Sequence, residues 1–144
     1  MSLFSGRLDR ELADLIYPPP RTVAVLGLSD RAGRPSYEVA ALLLRWGYEI
    51  LPVRPGQGTI LGRPCHATLS CVPGPVDIVD VFRRSEHVRG HLDDILAVRP
   101  KLLWLQDGVR DDAVAEAARR AGIAVVQDDC LARRIAELRV AHGA

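Results

Sequence analysis

The sequence predicts an α/β protein in which a doubly wound parallel sheet of five main strands, in the order 3-2-1-4-5, carries helices on both faces. Three observations predict it. Five short apolar runs alternate with segments whose apolar residues recur at helical spacing. The runs are nearly continuous rather than alternating, which suits strands covered on both faces. The intervening helical segments supply the crossovers that parallel neighbours require, with right-handed connections giving the doubly wound solution.

Each element has a local cause. Leu8, Leu12, Leu15 and Ile16 make a helical stripe, and Pro18-Pro19-Pro20 stops it, so residues 1–20 read as an N-terminal helix and proline-rich connector. Thr22 to Leu26 is the first strand. A helix is expected to begin at Ser36 as N-cap and to run through Val39, Leu43 and Trp46 to Gly47. Tyr48 to Val53 is the second strand, with Pro52 marking an irregularity or its end. Residues 54–75 are rich in Gly and Pro and read as a long loop with a small strand at Thr59-Ile60.

Val76 to Phe82 forms the third strand, followed by a helix capped by Ser85 with the stripe Val88, Leu92, Ile95 and Leu96. Lys101 to Leu105 is the fourth strand. Beyond Asp111 and Asp112 a helix packs Val114, Ala117, Ala118 and Ala121 and ends at Gly122. Ile123 to Val126 is the fifth strand, and a last helix uses Leu131, Ile135 and Leu138.

The 144 residues fit one domain, and 48% hydrophobic with 26% charged residues is the balance of a globular chain rather than a disordered one. Nineteen basic against eighteen acidic residues give a net charge of +1, which supplies no bulk drive toward nucleic acid or acidic membranes. Lys101 is the sole lysine, which leaves guanidinium forks as the main anion-binding side chains. Three cysteines are an odd number in a chain able to bury a core, which argues for a reducing, cytoplasmic setting rather than a disulfide framework. No signal-peptide pattern or membrane-length apolar run is present.

In a doubly wound sheet ligands bind beyond the carboxyl ends of the strands, where strand order reverses. After Leu26 come Gly27-Leu28-Ser29 and then Arg34-Pro35-Ser36. This loop is longer than a GxGxxG fingerprint, yet it leads into a helix start that offers N–H groups, a guanidinium and a hydroxyl to a phosphate. After the second strand, Arg54 stands where an NAD site carries an acid, which suits the phosphorylated ribose of NADP or coenzyme A. Phe82-Arg83-Arg84 after the third strand can stack on a purine and pair with phosphate oxygens.

Other candidates have structural explanations. His87 and His91 are one helical turn apart but lack a third metal ligand, so they read as a solvated face. Asp111, Asp112, Asp128 and Asp129 could hold Mg²⁺, and helix capping is the simpler account. Cys130 near a helix start has no histidine close in sequence to make it a nucleophile, and Cys65, His66 and Cys71 merely share a loop. GxSxG, Walker and HExxH patterns are absent, as is an assembled acid–base pair.

Six segments in this order resemble a known family: Val25-Leu26-Gly27-Leu28-Ser29, Arg34-Pro35-Ser36-Tyr37, Val53-Arg54-Pro55, Asp80-Val81-Phe82-Arg83-Arg84, Trp104-Leu105-Gln106-Asp107-Gly108-Val109 and Asp129-Cys130-Leu131. They are similar to the small stand-alone CoA-binding-domain proteins and to the N-terminal CoA-binding domain of the succinyl-CoA synthetase α subunit. The likeness runs from about Pro18 to Leu138.

It implies a Rossmann-like domain that holds CoA across the carboxyl edge of the sheet. Gly27, Leu28 and Ser29 would approach the pyrophosphate through the backbone, helped by the helix beginning near Ser36. Val53, Arg54 and Pro55 would lie beside the adenosine and its 3′-phosphate, Phe82, Arg83 and Arg84 would border adenine and phosphates, and Gln106 would sit near the pantetheine path. The chain departs from the family in having Arg54 where Asn is usual, and Gly56 and Gln57 where a lysine is common. Arg54 offers a cation from a neighbouring position. The second domain and partner subunit of the synthetase do not fit within 144 residues, so ligase activity is not implied.

The expectation is therefore a cytoplasmic protein that binds coenzyme A or an acyl-CoA as a small-molecule nucleotide ligand, without evident catalytic residues or metal. Two alternatives stand beside it: an NADP-dependent oxidoreductase, and a regulatory module that senses acyl-CoA and docks on a protein partner.

Overall fold

The computed structural model describes residues 9–56 and 58–143; Leu8 and Gln57, both named above, lie outside the described residues. In chain order the elements are α1 (Arg10–Ile16), β1 (Thr22–Leu26), α2 (Pro35–Arg45), β2 (Glu49–Val53), β3 (Thr59–Ile60) and β4 (Arg63–Pro64). These are followed by β5 (Ile78–Val81), α3 (Ser85–Val88), α4 (Leu92–Val98), β6 (Leu102–Leu105), α5 (Asp112–Arg120), β7 (Ala124–Val126) and α6 (Leu131–Ala141). All five long runs form one parallel sheet, as their composition predicts.

Side chains alternate across that sheet and build two cores. Val23, Val25, Ile50, Ile78, Leu102, Trp104 and Val126 pack with α1, α2 and α6, burying Ile16, Leu43 and Ile135 completely. Ala24, Leu26, Val53, Val79, Val81, Leu103, Leu105 and Val125 face α3, α4 and α5 on the other side. The result is a three-layer Rossmann-like arrangement.

The strand order is β2-β1-β5-β6-β7, that is 2-1-3-4-5 among the main strands, and corrects the expected 3-2-1-4-5. Pro52 supplies the physical reason. It lies opposite Val25 in the register of β2 with β1, and it has no N–H to give to a second neighbour. An order that flanks β2 on both sides would break a ladder there. At the observed edge, β2 meets only an isolated bridge from Val53 to His66, in which Pro52 contributes its carbonyl to His66 N–H. The reversal of strand order therefore falls between β1 and β5, and the exits of those two strands form the crevice.

Local corrections follow the same chemistry. Ser36 is not the N-cap of α2. Arg34 is, because Pro35 suits the first helical position and disfavours helical geometry in the residue before it. Likewise Arg84, not Ser85, precedes α3. The single helix expected beyond it is broken by a 3-10 turn over Arg89–His91, where Gly90 weakens the helical run. Ser85 Oγ instead donates to Gly108 O and accepts from Arg110 N–H, pinning the loop after β6. Among the acids, Asp111 does cap α5, through Val114 N–H at 3.0 Å. Asp128 instead holds Gly108 N–H, and Asp129 pairs with arginines. The small strand at Thr59-Ile60 exists, as half of a two-stranded hairpin with β4. Among the described residues no helix is long and apolar enough to cross a membrane.

Candidate functional site

Gly27 opens the crevice. Its φ of +89° favours glycine, and a Cβ there would stand 2.5 Å from the carbonyl oxygen of Phe82 and 3.0 Å from Cδ of Arg83. Only glycine lets the exits of β1 and β5 lie this close. The contact is locked by Phe82 N–H donating to Leu26 O at 2.8 Å and Gly27 N–H donating to Val53 O at 2.9 Å.

Above this floor lies a cavity of about 1180 Å³ bordered by the exits of β1, β2, β5 and β6 and by the starts of α2 and α6. A drug-sized ligand site spans roughly 300–1,000 Å³, so an extended nucleotide fits. Twelve of the thirteen sequence-predicted residues border it: Gly27, Leu28, Ser29, Arg34, Ser36, Val53, Arg54, Pro55, Phe82, Arg83, Arg84 and Gln106. Tyr37 does not. One position past Ser36 on α2, it packs against the core formed with α1, α2 and α6.

The polar groups of the first loop are arranged differently from the expectation of a free backbone cradle. Ser36 is buried, and its Oγ accepts Ser29 N–H at 2.9 Å. Ser29 Oγ in turn accepts Arg31 N–H at 3.1 Å. Gly27 and Ser29 thus spend their N–H groups inside the protein, and the side chain of Leu28 belongs to the core. The first turn of α2, where no side chain makes a cap hydrogen bond, still has backbone donors to offer a ligand.

Electrostatics favour an anion. Five arginines (Arg31, Arg34, Arg54, Arg83 and Arg84) border the cavity, against Asp30, Asp94 and Asp107. Two of the acids are already neutralised: Asp30 by Arg54 at 3.4 Å and Asp107 by Arg133 at 2.9 Å. The sole lysine stands far from this, before β6 at the amino edge of the sheet, paired with Asp77 at 3.5 Å. The cavity's cations are therefore all guanidinium forks, shaped for phosphate oxygens.

The opposite wall is built on α6. Gln106 is buried, and its Oε1 accepts Leu131 N–H at 3.1 Å at the start of that helix. Trp104, fully buried in the middle of the sheet, donates from Nε1 to Asp129 O at 2.8 Å. The Asp129 carboxylate accepts Cys130 N–H and binds Arg133 and Arg134 at 2.9 and 3.0 Å. Together these hold the Asp129-Cys130-Leu131 turn against the cavity.

Sequence reasoning missed several wall residues. His91, read as part of a wet helix face, borders the cavity with Asp94, whereas His87 is exposed. Burial and the neighbouring Arg83 push the His91 pKa down, so its neutral form persists to lower pH than that of a free imidazole. The break at Gly90, which swings His91 out of a continuous helix, was the available signal. Ala67, Thr68 and Leu69 close the cavity from the long loop, a placement with no local signature, whereas Cys130, which also lines it, belongs to one of the six family-like segments. Among the described residues no group of three or more His, Cys, Asp or Glu is placed to hold a metal ion.

Comparison with known proteins agrees with this geometry. An uncharacterized protein of Bacillus subtilis, YneT, is 36% identical over 111 residues, covering 77% of this chain and 82% of its own. The Thermus thermophilus protein cell-free ID.343 superposes with a TM-score of 0.87 at 38% identity, over 91% of this chain and 98% of that one. A segment of 70 residues, 47% of this chain, is 34% identical to an ADP-forming acetate–CoA ligase of Archaeoglobus fulgidus, of which it spans only 10%. The dinucleotide-forming acetyl-coenzyme A synthetase of Ca. Korarchaeum cryptofilum shares the fold at a TM-score of 0.66 and 22% identity, over 79% of this chain and 26% of that one. The family model for the CoA binding domain matches residues 21–136, a span that holds the whole parallel sheet and the cavity on its carboxyl edge. By that match the chain belongs to the CoA-binding domain family.

Proposed function

We propose that the chain, as one domain, binds coenzyme A or an acyl-CoA in the cavity on the carboxyl edge of the sheet. The observation that carries this reading is a nucleotide-sized cavity at the β1/β5 reversal with five arginines around it, in a chain of the CoA-binding domain family. In this reading Arg54 takes the 3′-phosphate, exchanging its partly exposed pair with Asp30 for a doubly charged partner. The pyrophosphate lies against the open first turn of α2, with Arg34 and Arg83 on either side. Phe82 borders the adenine, and the pantetheine arm runs toward Gln106.

Calorimetry of the purified protein against CoA, dephospho-CoA, NADP and NAD tests the reading. Saturable binding of CoA, weaker for dephospho-CoA and absent for NAD, is the expected result. Binding of NADP without binding of CoA overturns it.

A further inference from the structure

The wall of the cavity beyond β5 carries a charge cluster that the nucleotide reading leaves unused. The stem of Arg83 crosses the floor of the crevice, with Cδ 3.0 Å from where a Cβ of Gly27 would stand. His91 and Asp94 border the same cavity, and the charges of both Arg83 and Asp94 act on the His91 imidazole. His91 is half-buried at the end of the 3-10 turn Arg89–His91, and its ring makes no capping bond to α4. No hydrogen bond or ion pair among the described residues occupies the side chains of Arg83, His91 or Asp94. Other titratable groups bear on the ring little. His87, one turn earlier, is exposed, and the 3-10 turn Leu69–Cys71 packed on α4 brings only the exposed Cys71. The charges of α5, also packed on α4, are engaged elsewhere: Asp111 with Arg89, Asp112 with Arg110, Glu116 with Arg120 and Arg119 with Val125 O. The cluster therefore changes its net charge through one group, the imidazole.

We propose that His91 is a proton-gated phosphate ligand: as an imidazolium it joins Arg83 on the pyrophosphate of the bound nucleotide, so that the complex tightens as pH falls. The proposal deepens the reading of the cavity as a CoA site and rests on it. In the free protein, burial and the like charge of Arg83 favour the neutral ring, while Asp94 works against them. A pyrophosphate beside Arg83 brings two negative charges against one guanidinium and reverses the field at the ring. His91 then takes a proton from solvent as the ligand binds, and its N–H donates as a charge-assisted bond. Protonation and binding strengthen each other by the same factor. Between the pKa of the free protein and the higher pKa of the complex, affinity rises as pH falls. Below the first value both forms are protonated, above the second neither is, and in both ranges affinity is level.

The test is calorimetry of the full chain with dephospho-CoA at pH 6, 7 and 8, each in two buffers of different ionisation heat, which reads the protons taken up. Dephospho-CoA keeps the pyrophosphate and lacks the 3′-phosphate, whose own titration at about pH 6 would overlap that of the ring. Wild type is expected to bind at least about threefold more tightly at pH 6 than at pH 8, with proton uptake, since one unit of pKa gained gives at most about tenfold. His91→Asn, whose amide donates without ionising, loses the uptake and the pH dependence, and His87→Asn keeps both. CoA is run alongside. Its 3′-phosphate titrates equally with both proteins, so the difference between wild type and His91→Asn carries the same test. The His91 ring resonance of wild type, followed by NMR with and without dephospho-CoA, is expected to titrate at higher pH in the complex and needs no variant. Binding of equal strength at pH 6 and pH 8, a pH dependence that survives His91→Asn, or an unmoved His91 titration overturns the proposal and leaves the CoA site standing. Absence of CoA binding at every pH refutes the CoA site beneath it.

Discussion

Asp80 is the most sharply testable residue of the fold. It stands in β5 between Val25 of β1 and Trp104 of β6, fully buried, and neither carboxyl oxygen has a hydrogen-bond partner among the described residues. Burial pushes its pKa well above the ordinary carboxylate range. The sign of the linkage follows. Below the unfolded pKa of 3.8 both states are neutral and the group has no effect. As pH rises through 3.8 the unfolded chain releases the proton and the folded chain keeps it, so folding stability falls. The slope is about 1.4 kcal/mol per pH unit for as long as Asp80 stays protonated in the fold, or about 3 kcal/mol over two units.

Asp80→Asn keeps the shape and the unmet polarity of the protonated acid while removing its ionisation. Its stability should match wild type within about 1 kcal/mol near pH 3.5 and exceed it increasingly toward pH 7. At the midpoint each kcal/mol corresponds to roughly 4 °C in Tm for a chain of this size. Urea unfolding of both proteins at half-unit pH steps, followed by circular dichroism, measures the difference directly, and other titrating groups cancel between them. Parallel stability curves across the range would refute the reasoning, since they would mean that Asp80 ionises in the folded protein as it does in water.

Further outcomes follow from the site. Gly27→Ala forces a side chain onto a left-handed backbone and against Phe82 O, and it should destabilise by at least about 2 kcal/mol in urea unfolding; an unchanged midpoint would refute the close approach of β1 and β5. Arg54→Ala should weaken CoA by about 1–2 kcal/mol, roughly 5- to 30-fold in Kd by calorimetry, after allowing for the exposed pair with Asp30 that must open. The same substitution should leave dephospho-CoA nearly unaffected, and equal losses for both ligands would mean that Arg54 does not read the 3′-phosphate. Asp129→Ala removes the anchor of Arg133 and Arg134 and of the Cys130 N–H, and should cost about 3 kcal/mol in thermal or urea unfolding. A smaller cost for Asp129→Ala than for Asp107→Ala, whose partner Arg133 is exposed, would contradict the order of burial.

Much of the site was legible because its residues follow strand ends. Gly27, Arg54, Arg83 and Gln106 each lie within two residues of a strand's last apolar position, and the rule that ligands gather there applies whichever strands are neighbours. Asp94 and the Ala67–Leu69 segment reach the cavity from the middle of crossovers, where the sequence offers no marker of direction, and for His91 the one marker is the neighbouring Gly90. Ser36 shows a subtler limit. A serine before an apolar stripe reads as a cap, yet Pro35 fills the first helical position and frees the hydroxyl for Ser29 N–H.

By itself the sequence determined the kind of each element and the layered α/β class, because apolar periodicity and the Gly and Pro stops are local properties of a few adjacent residues. It also determined that arginines would be the main anion-binding side chains, since the chain has one lysine. Tertiary structure alone decided which strands are neighbours, and hence that β1 and β5 frame the cavity. It likewise decided that Asp80 is buried without a hydrogen-bond partner among the described residues and that Gln106 and Cys130 line the same cavity. Those outcomes depend on pairings between segments some 25 to 55 residues apart, such as Thr22 N–H on Asp77 and Leu131 N–H on Gln106, and their energies exist only once the chain has closed on itself.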